Sequence, residues 1–458
     1  MPGYIHVPQG AAVASAGGSR LYVYMVSIVA AISGLLFGFD IAVINGAIIF
    51  LRQQFALSEV QTQMAASALL VGCVAGASIA GTLSDRFGRR RILILSAVLF
   101  AASSIGAALP RDLAEFTAAR FIGGVAIGVA SVLAPLYIAE VSPPSIRGRL
   151  VSLNQMAIVS GILLAYLVNW LLAGLGPASW RWMFASAAAP SALFFFALLF
   201  VPESPRWLTK QNRPGEALAI LGRVAGHEQA KIELQQIEKA IAEESGTLRE
   251  LFQPGLRRPL VIAVVLAVLQ QITGINTVLF YGSIIFKEHA GNAESAAIAA
   301  NVLVGLVNFL ATIVALWIID KVGRKKLLIV SAGGMALSHA ALGFAFLVQP
   351  PPAALILGII LACAGFFAVG LGPAVWVLMA ELFPTRIRGR AMSIATISLW
   401  VACVALTATF LSLARALTAS GAFWIYGLMC IITVIFVWRV TPETKGKTLE
   451  EIERLWKR

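Results

Sequence analysis

Two oppositely charged side chains, Asp40 and Arg120, stand inside long apolar stretches of a 458-residue chain. An ion at a bilayer centre costs about 2.5–3.5 kcal/mol on insertion scales, so charges kept there point to work. A buried carboxylate beside a guanidinium can take up and release a proton, because burial and the cation pull its ionisation in opposite directions. The alternative is a permanent ion pair that locks two helices together. Five carboxamides share the apolar setting: Gln155, Gln270, Gln271, Asn276 and Asn308. Each both donates and accepts, which suits a hydroxylated ligand or a neighbouring helix, the latter contact being worth only about 0.6 kcal/mol. Trp376 and Trp400 add aromatic surface that can cover a ring face or serve in packing.

The elements that must hold these groups are set by composition. Hydrophobic residues make up 59% of the chain and charged residues 12%, against about 25% charged in a soluble domain. A single core stops growing at about 250–300 residues, so lipid has to solvate much of this surface. That excludes a soluble enzyme, a nucleic-acid binder and a disordered chain. Backbone groups in lipid must bond within their own segment, which makes the apolar stretches helices. Twelve are long enough to cross, at 21–50, 60–83, 92–110, 113–139, 150–174, 182–201, 258–286, 296–319, 327–349, 353–379, 391–414 and 421–439.

The net charge of +13 sits in short clusters between these stretches. Arg86, Arg89, Arg90 and Arg91 follow the second; Arg147 and Arg149 the fourth; Lys321, Arg324, Lys325 and Lys326 the eighth; Arg386, Arg388 and Arg390 the tenth. The other connections carry little more than Arg52, Arg111, Arg181, Lys287 and Arg415. By the positive-inside rule both termini and the basic loops are cytoplasmic, so the charge orients the chain and does not bind nucleic acid.

Three signatures occur twice. Asp85-Arg86-Phe87-Gly88-Arg89-Arg90 returns as Asp320-Lys321-Val322-Gly323-Arg324-Lys325. Glu140, Pro143, Arg147, Gly148 and Arg149 return as Glu381, Pro384, Arg388, Gly389 and Arg390, and Pro202-Glu203 as Pro442-Glu443. Displacements of 235, 241 and 240 residues mean two homologous six-helix halves. Such internal symmetry is a transporter signature, with the substrate near the midplane between halves. The organisation is therefore a disordered cytoplasmic N-terminus (1–20), a first half (21–201), a cytoplasmic linker of short amphipathic helices (202–257), a second half (258–440) and a cytoplasmic tail (441–458). Asp40 and Arg120 break the symmetry, since a shift of 241 lands on Tyr281 and Leu361.

Together with Gly38-Phe39-Asp40, Arg120-Phe121-Ile122-Gly123-Gly124, Pro202-Glu203-Ser204-Pro205-Arg206, Gln270-Gln271-Ile272-Thr273-Gly274-Ile275-Asn276 and Pro442-Glu443-Thr444-Lys445-Gly446, these loops resemble the sugar porter family of the major facilitator superfamily, in order and over nearly the whole chain. The resemblance implies an all-α membrane fold of twelve helices and a proton-coupled monosaccharide symporter of glucose type, working by alternating access. It implies sugar contacts at Gln155, Gln270, Gln271, Asn276, Asn308 and Trp376, and Trp400 is added for its aromatic surface. It implies protonation at Asp40 with Arg120 as partner, the proton being the coupling ion and no other cofactor needed. Asp85, Arg89, Glu140, Arg147, Glu203, Arg206, Asp320, Arg324, Glu381, Arg388 and Glu443 resemble the family's cytoplasmic gate, with Glu140–Arg147 and Glu381–Arg388 as its expected pairs. Ile162 and Leu399 stand where other members often carry an amide.

On an unbroken helix Gln271 and Asn276 would sit about 140° apart, so a bend at Gly274 is expected to bring them to one ligand. Cys73, Cys363, Cys403 and Cys430 read as small buried hydrophobes, and His289 and His339 lack metal-ligand spacing, so neither a metal nor a role is assigned to them. A facilitative uniporter and a non-transporting sugar sensor are the alternatives; the short stretch after Val440 speaks against the sensor, and no nucleophile–base pair supports an enzyme. The chain has no Asn-x-Ser/Thr sequon, which fits a bacterial cytoplasmic membrane, and each chain holds a complete site, which fits a functional monomer.

Overall fold

A computed structural model describes residues 19–144, 146–242, 248–253, 255–290, 294–348, 353–445 and 451–452. The expected disordered segment 1–20 lies outside them except for its last two residues, as does most of the tail from 446. The described residues are almost entirely helical and contain no strand. In the first half, α1 (Arg20–Gln54), α2 (Glu59–Phe87), α3 (Arg89–Ala108), α4 (Leu113–Val141) and α5 (Arg147–Leu172) each make one crossing. The sixth crossing is split into α6 (Ser179–Ala185) and α7 (Ala188–Leu198). The linker folds as α8 (Pro205–Lys210), α9 (Pro214–Ala225) and α10 (His227–Ala242), with Trp207, Leu208 and Ala217 packed between them.

In the second half the seventh crossing is α11 (Arg257–Ile272) and α12 (Ile275–Ala290), followed by α13 (Glu294–Val322) and α14 (Arg324–Ala345). The tenth is α15 (Ala353–Val369) with α16 (Leu371–Glu381). The last helical stretch, α17 (Thr385–Val440), holds 56 residues where about 20 suffice to cross. Thr418 interrupts it at φ 65°, ψ 165°, outside the helical region. Arg388 near its start and Thr444 just beyond its end both lie beside the Phe383 and Glu381 region, so the chain turns back at Thr418. The two crossings expected at 391–414 and 421–439 are both there, joined without a loop.

Inside each half, small residues let helices approach. α2 packs on α4 and α1 on α5. A Cβ at Gly124 would run into the Leu69 carbonyl, and one at Gly72 into the Phe121 carbonyl, so glycine sets that spacing. Without a hydrophobic drive between helices in lipid, such close van der Waals contact is the main attraction. The halves meet through α1 on α12, α2 on α17 and α5 on α13.

Candidate functional site

Arg120 on α4 is fully buried and Asp40 on α1 is 3% exposed. The grip between them is uneven. Arg120 Nη2 donates to the Asp40 main-chain oxygen at 2.7 Å, whereas Nη1 stands 3.5 Å from the carboxylate Oδ1. The guanidinium carbon lies 5.1 Å from the centre of the Phe184 ring, and Nε has no partner among the described residues. Arg120 is thus tied to the α1 backbone and to an aromatic face on α6, and the carboxylate holds it by one long contact.

The second cluster lies on the seventh crossing. α11 ends at Ile272, α12 starts at Ile275, and Gly274 between them has φ +86°. The bend expected there is present, and it brings Asn276 Nδ2 onto Gln271 Oε1, which a straight helix would forbid. Gln271 Nε2 donates to Gln270 Oε1 at 3.1 Å, and Asn276 Nδ2 also lies 3.2 Å from Cys403 Sγ. Gln270, an expected sugar contact, is engaged within the protein. Its Nε2 donates to the carbonyls of Leu371 at 2.6 Å and Gly372 at 3.2 Å, tying α11 to the break between α15 and α16.

Trp376 is half-buried on α16. Trp400 is 2% exposed and its ring lies 5.5 Å from that of Phe37, so an aromatic contact joins the two halves. The Trp400 Nε1 has no acceptor among the described residues. Asn308 is buried on α13, lending its main-chain oxygen to Thr312. Gln155 is half-buried on α5. The hydrogen-bonded chain joins Gln270, Gln271 and Asn276; Gln155 and Asn308 are not part of it.

At the end carrying the basic loops, two matching networks form. Arg89 pairs with Asp85 at 3.0 Å and with Glu140 at 3.0 Å, and Arg324 pairs with Asp320 at 2.8 Å and Glu381 at 2.9 Å. Glu203 accepts from the main-chain N–H groups of Arg89 and Arg90, capping α3, as Glu443 does from Arg324 and Lys325, capping α14. A carboxylate at a helix N-terminus meets its unpaired donors and its positive dipole end. Ser204 donates to Glu140 and Thr444 to Glu381.

The expected pairs Glu140–Arg147 and Glu381–Arg388 are not formed in this structure. Arg147 instead donates to the Ser142 carbonyl at 3.3 Å and Arg388 to that of Phe383 at 3.2 Å, each five residues back at the turn into its helix. The nearer arginine in sequence closes the turn, and the one entering the neighbouring helix takes the carboxylate. Glu233 on α10 is buried with Oε1 unpartnered among the described residues; burial pushes its carboxyl above the usual glutamate value, and Arg147 partly offsets this. Arg206 is half-buried on α8.

A polar knot at the opposite end escaped the sequence reading. Asn45 Nδ2 lies 3.0 Å from Val278 O, 2.9 Å from Leu279 O and 3.3 Å from Asn301 Oδ1. Its Oδ1 accepts from the N–H of Ser283 at 3.0 Å and from the Ser283 hydroxyl. Tyr166 donates to Leu279 O at 3.3 Å, Gln63 to Ser412 at 2.8 Å, and Arg415 pairs with Glu59 at 3.3 Å. All of these cross between halves, whereas the Arg89 and Arg324 networks each stay within one. The signal was available: Asn45 and Asn301 are intramembrane amides like Asn308.

A family profile described as "Sugar (and other) transporter" matches residues 26–456. The arabinose-proton symporter of Bacillus subtilis (strain 168) is 41% identical over 442 residues, covering 95% of each chain. The D-xylose-proton symporter of Escherichia coli (strain K12) is 39% identical over 475 residues, covering 95% of this chain and 96% of its own. A solved structure of the proton:xylose symporter XylE bound to 6-bromo-6-deoxy-D-glucose superposes with a TM-score of 0.83 at 38% identity, over 95% of this chain and 99% of that one.

Proposed function

Because the chain belongs to the sugar porter family of the major facilitator superfamily, a family of multi-pass membrane transporters and not of enzymes, we propose that it is a proton-coupled monosaccharide symporter working by alternating access. The uneven grip on Arg120 is the observation that carries proton coupling. Neutralising Asp40 removes one contact of 3.5 Å and leaves Arg120 held by the 2.7 Å bond to the backbone. A proton on Asp40 thus leaves Arg120 hydrogen-bonded to α1 but without its counter-charge, and that cost in a buried site couples protonation to the conformational change.

The sugar sits between the halves, its hydroxyls on Gln155, Gln271, Asn276 and Asn308 and its ring face on Trp376 and Trp400, with Trp400 Nε1 as an open donor. Gln270 holds the tenth crossing beside it. A glucose-type aldopyranose is the proposed cargo. D-xylose is the same ring without its hydroxymethyl group, and the related symporter named for xylose has been captured with a 6-substituted glucose. The basic loops face the cytoplasm of a bacterial inner membrane, with both termini on that side and one chain as the working unit. The Asn45 knot then closes the outer side, the closure that an inward-facing state requires, in which Asp40 releases its proton and the site its sugar. The Arg89 and Arg324 networks brace each half as a rigid body while the halves rock.

Uptake of labelled glucose, galactose and xylose into proteoliposomes, with and without an inward proton gradient, tests this reading. Wild type is expected to accumulate one of these sugars under the gradient, and Asp40→Asn only to equilibrate it. Equilibration by both proteins would replace symport with facilitated diffusion, and movement of none would remove the substrate class.

A further inference from the structure

Breaking a helix inside a membrane leaves carbonyls without their usual donors, and lipid supplies none. At the break in the seventh crossing one such carbonyl is Thr273 O. In an unbroken helix it would accept from the N–H of Thr277, but that group donates to Gly274 O at 3.1 Å. The Thr273 hydroxyl is turned away, donating to Gln270 O at 2.8 Å.

A histidine from another helix fills the vacancy. His339 on α14 is fully buried, and its Nε2 lies 2.8 Å from Thr273 O. A carbonyl only accepts, so Nε2 carries the proton and Nδ1 is the bare nitrogen, which has no partner among the described residues. The imidazole is fixed by rings, with centroids 5.8 Å from Phe423 and 5.9 Å from Tyr426. Tyr426 also lies where a side chain on Gly274 would project. Cys430 Sγ adds a weak contact to Thr273 O at 3.8 Å, and Cys363 Sγ stands 3.8 Å from His339 Nε2.

We propose that His339 is a positioning residue for ligand binding: its Nε2–H replaces the lost helical donor at Thr273 O, and so holds the bend that sets Gln271 and Asn276 side by side. It touches no ligand. Its effect passes through the angle between α11 and α12, the second of which also bears the knot that closes on Asn45. The effect on sugar affinity rests on the transport reading above, but the hinge itself does not.

The test uses His339→Met, which keeps an apolar side chain of useful length and removes the donor, and His339→Gln, whose Nε2 can reach the same carbonyl. Amide hydrogen exchange over residues 270–280 is read without sugar, and sugar KM and Vmax in proteoliposomes. The Met variant is expected to exchange faster in that segment and to raise KM about three- to tenfold, the scale of one hydrogen bond between membrane helices, with Vmax within about twofold. The Gln variant is expected to match wild type in both. Wild-type exchange in the Met variant, or equally fast exchange in both variants, overturns the proposal. If the Met variant is not recovered folded, the Gln variant decides alone: wild-type behaviour supports the donor role and faster exchange refutes it. Should wild type move no sugar, the transport reading fails, and the exchange data still decide the hinge.

Discussion

Replacing Asn45 with Ala removes the centre of the knot that joins α1 to α12. The amide has two N–H groups, shared among Val278 O, Leu279 O and Asn301 Oδ1, and an oxygen that accepts twice from Ser283. Four hydrogen bonds are therefore the most it can contribute. At about 0.6 kcal/mol each, they stabilise the closed outer side by about 2 kcal/mol. These bonds cross between halves and exist only while that side is shut, so the loss falls on one state and moves the balance toward opening by about thirtyfold. Spin labels at Ala56 and Ala416, exposed at the outer ends of the two halves, report this by pulsed electron-spin distance measurement. The native cysteines are all buried, which favours labelling at introduced positions. Asn45→Ala is expected to add a longer-distance population that wild type lacks. A folded variant with the wild-type distance distribution would refute the claim that this knot is the outer closure.

Gly274→Ala puts a side chain on a backbone at φ +86° and against the Tyr426 ring, so sugar affinity should fall at least about tenfold in whatever protein folds; titration against tryptophan fluorescence checks this, and wild-type affinity would contradict the bend's role. Glu233 gives a pH signature. Its carboxyl is raised above the usual 4.5, so the folded state binds that proton more tightly than the unfolded chain, and the resulting stability is complete below 4.5 and lost as pH rises through the folded value. Glu233→Gln should therefore gain thermal stability relative to wild type at pH 7 but not at pH 4, and an equal difference at both would show that the carboxyl is not the cause.

Much of this was legible because lipid imposes strict rules on sequence. Apolar stretches of crossing length located the helices, and the paired Asp85 and Asp320 loops located the two halves. The Gly274 bend followed from two amides that a straight helix could not aim together. What stayed hidden depends on which helices become neighbours. The family resemblance and the matching placement in both halves suggested a Glu140–Arg147 pair, but here Arg89 enters from α3 at the capped end and takes the carboxylate. Asn45 and Asn301 carried the same amide signal as Asn308, but their meeting at Ser283 needs α1, α12 and α13 in place. His339 was set aside for want of metal-ligand spacing, and its partner is a main-chain oxygen that only the bend leaves open. Gln270 was expected as a sugar contact from the family resemblance, and that its two N–H groups go to the break in the tenth crossing could not be read from the sequence.

The central claim is that sugar and proton move together through Asp40, and it is tested most directly by a pH electrode outside weakly buffered proteoliposomes. Adding a transported sugar to the outside, with no gradient applied, is expected to make the medium alkaline in wild type as protons follow the sugar inward. Asp40→Asn is expected to take up sugar to equilibrium without that change. Sugar entry in wild type with no alkalinisation would contradict coupled transport.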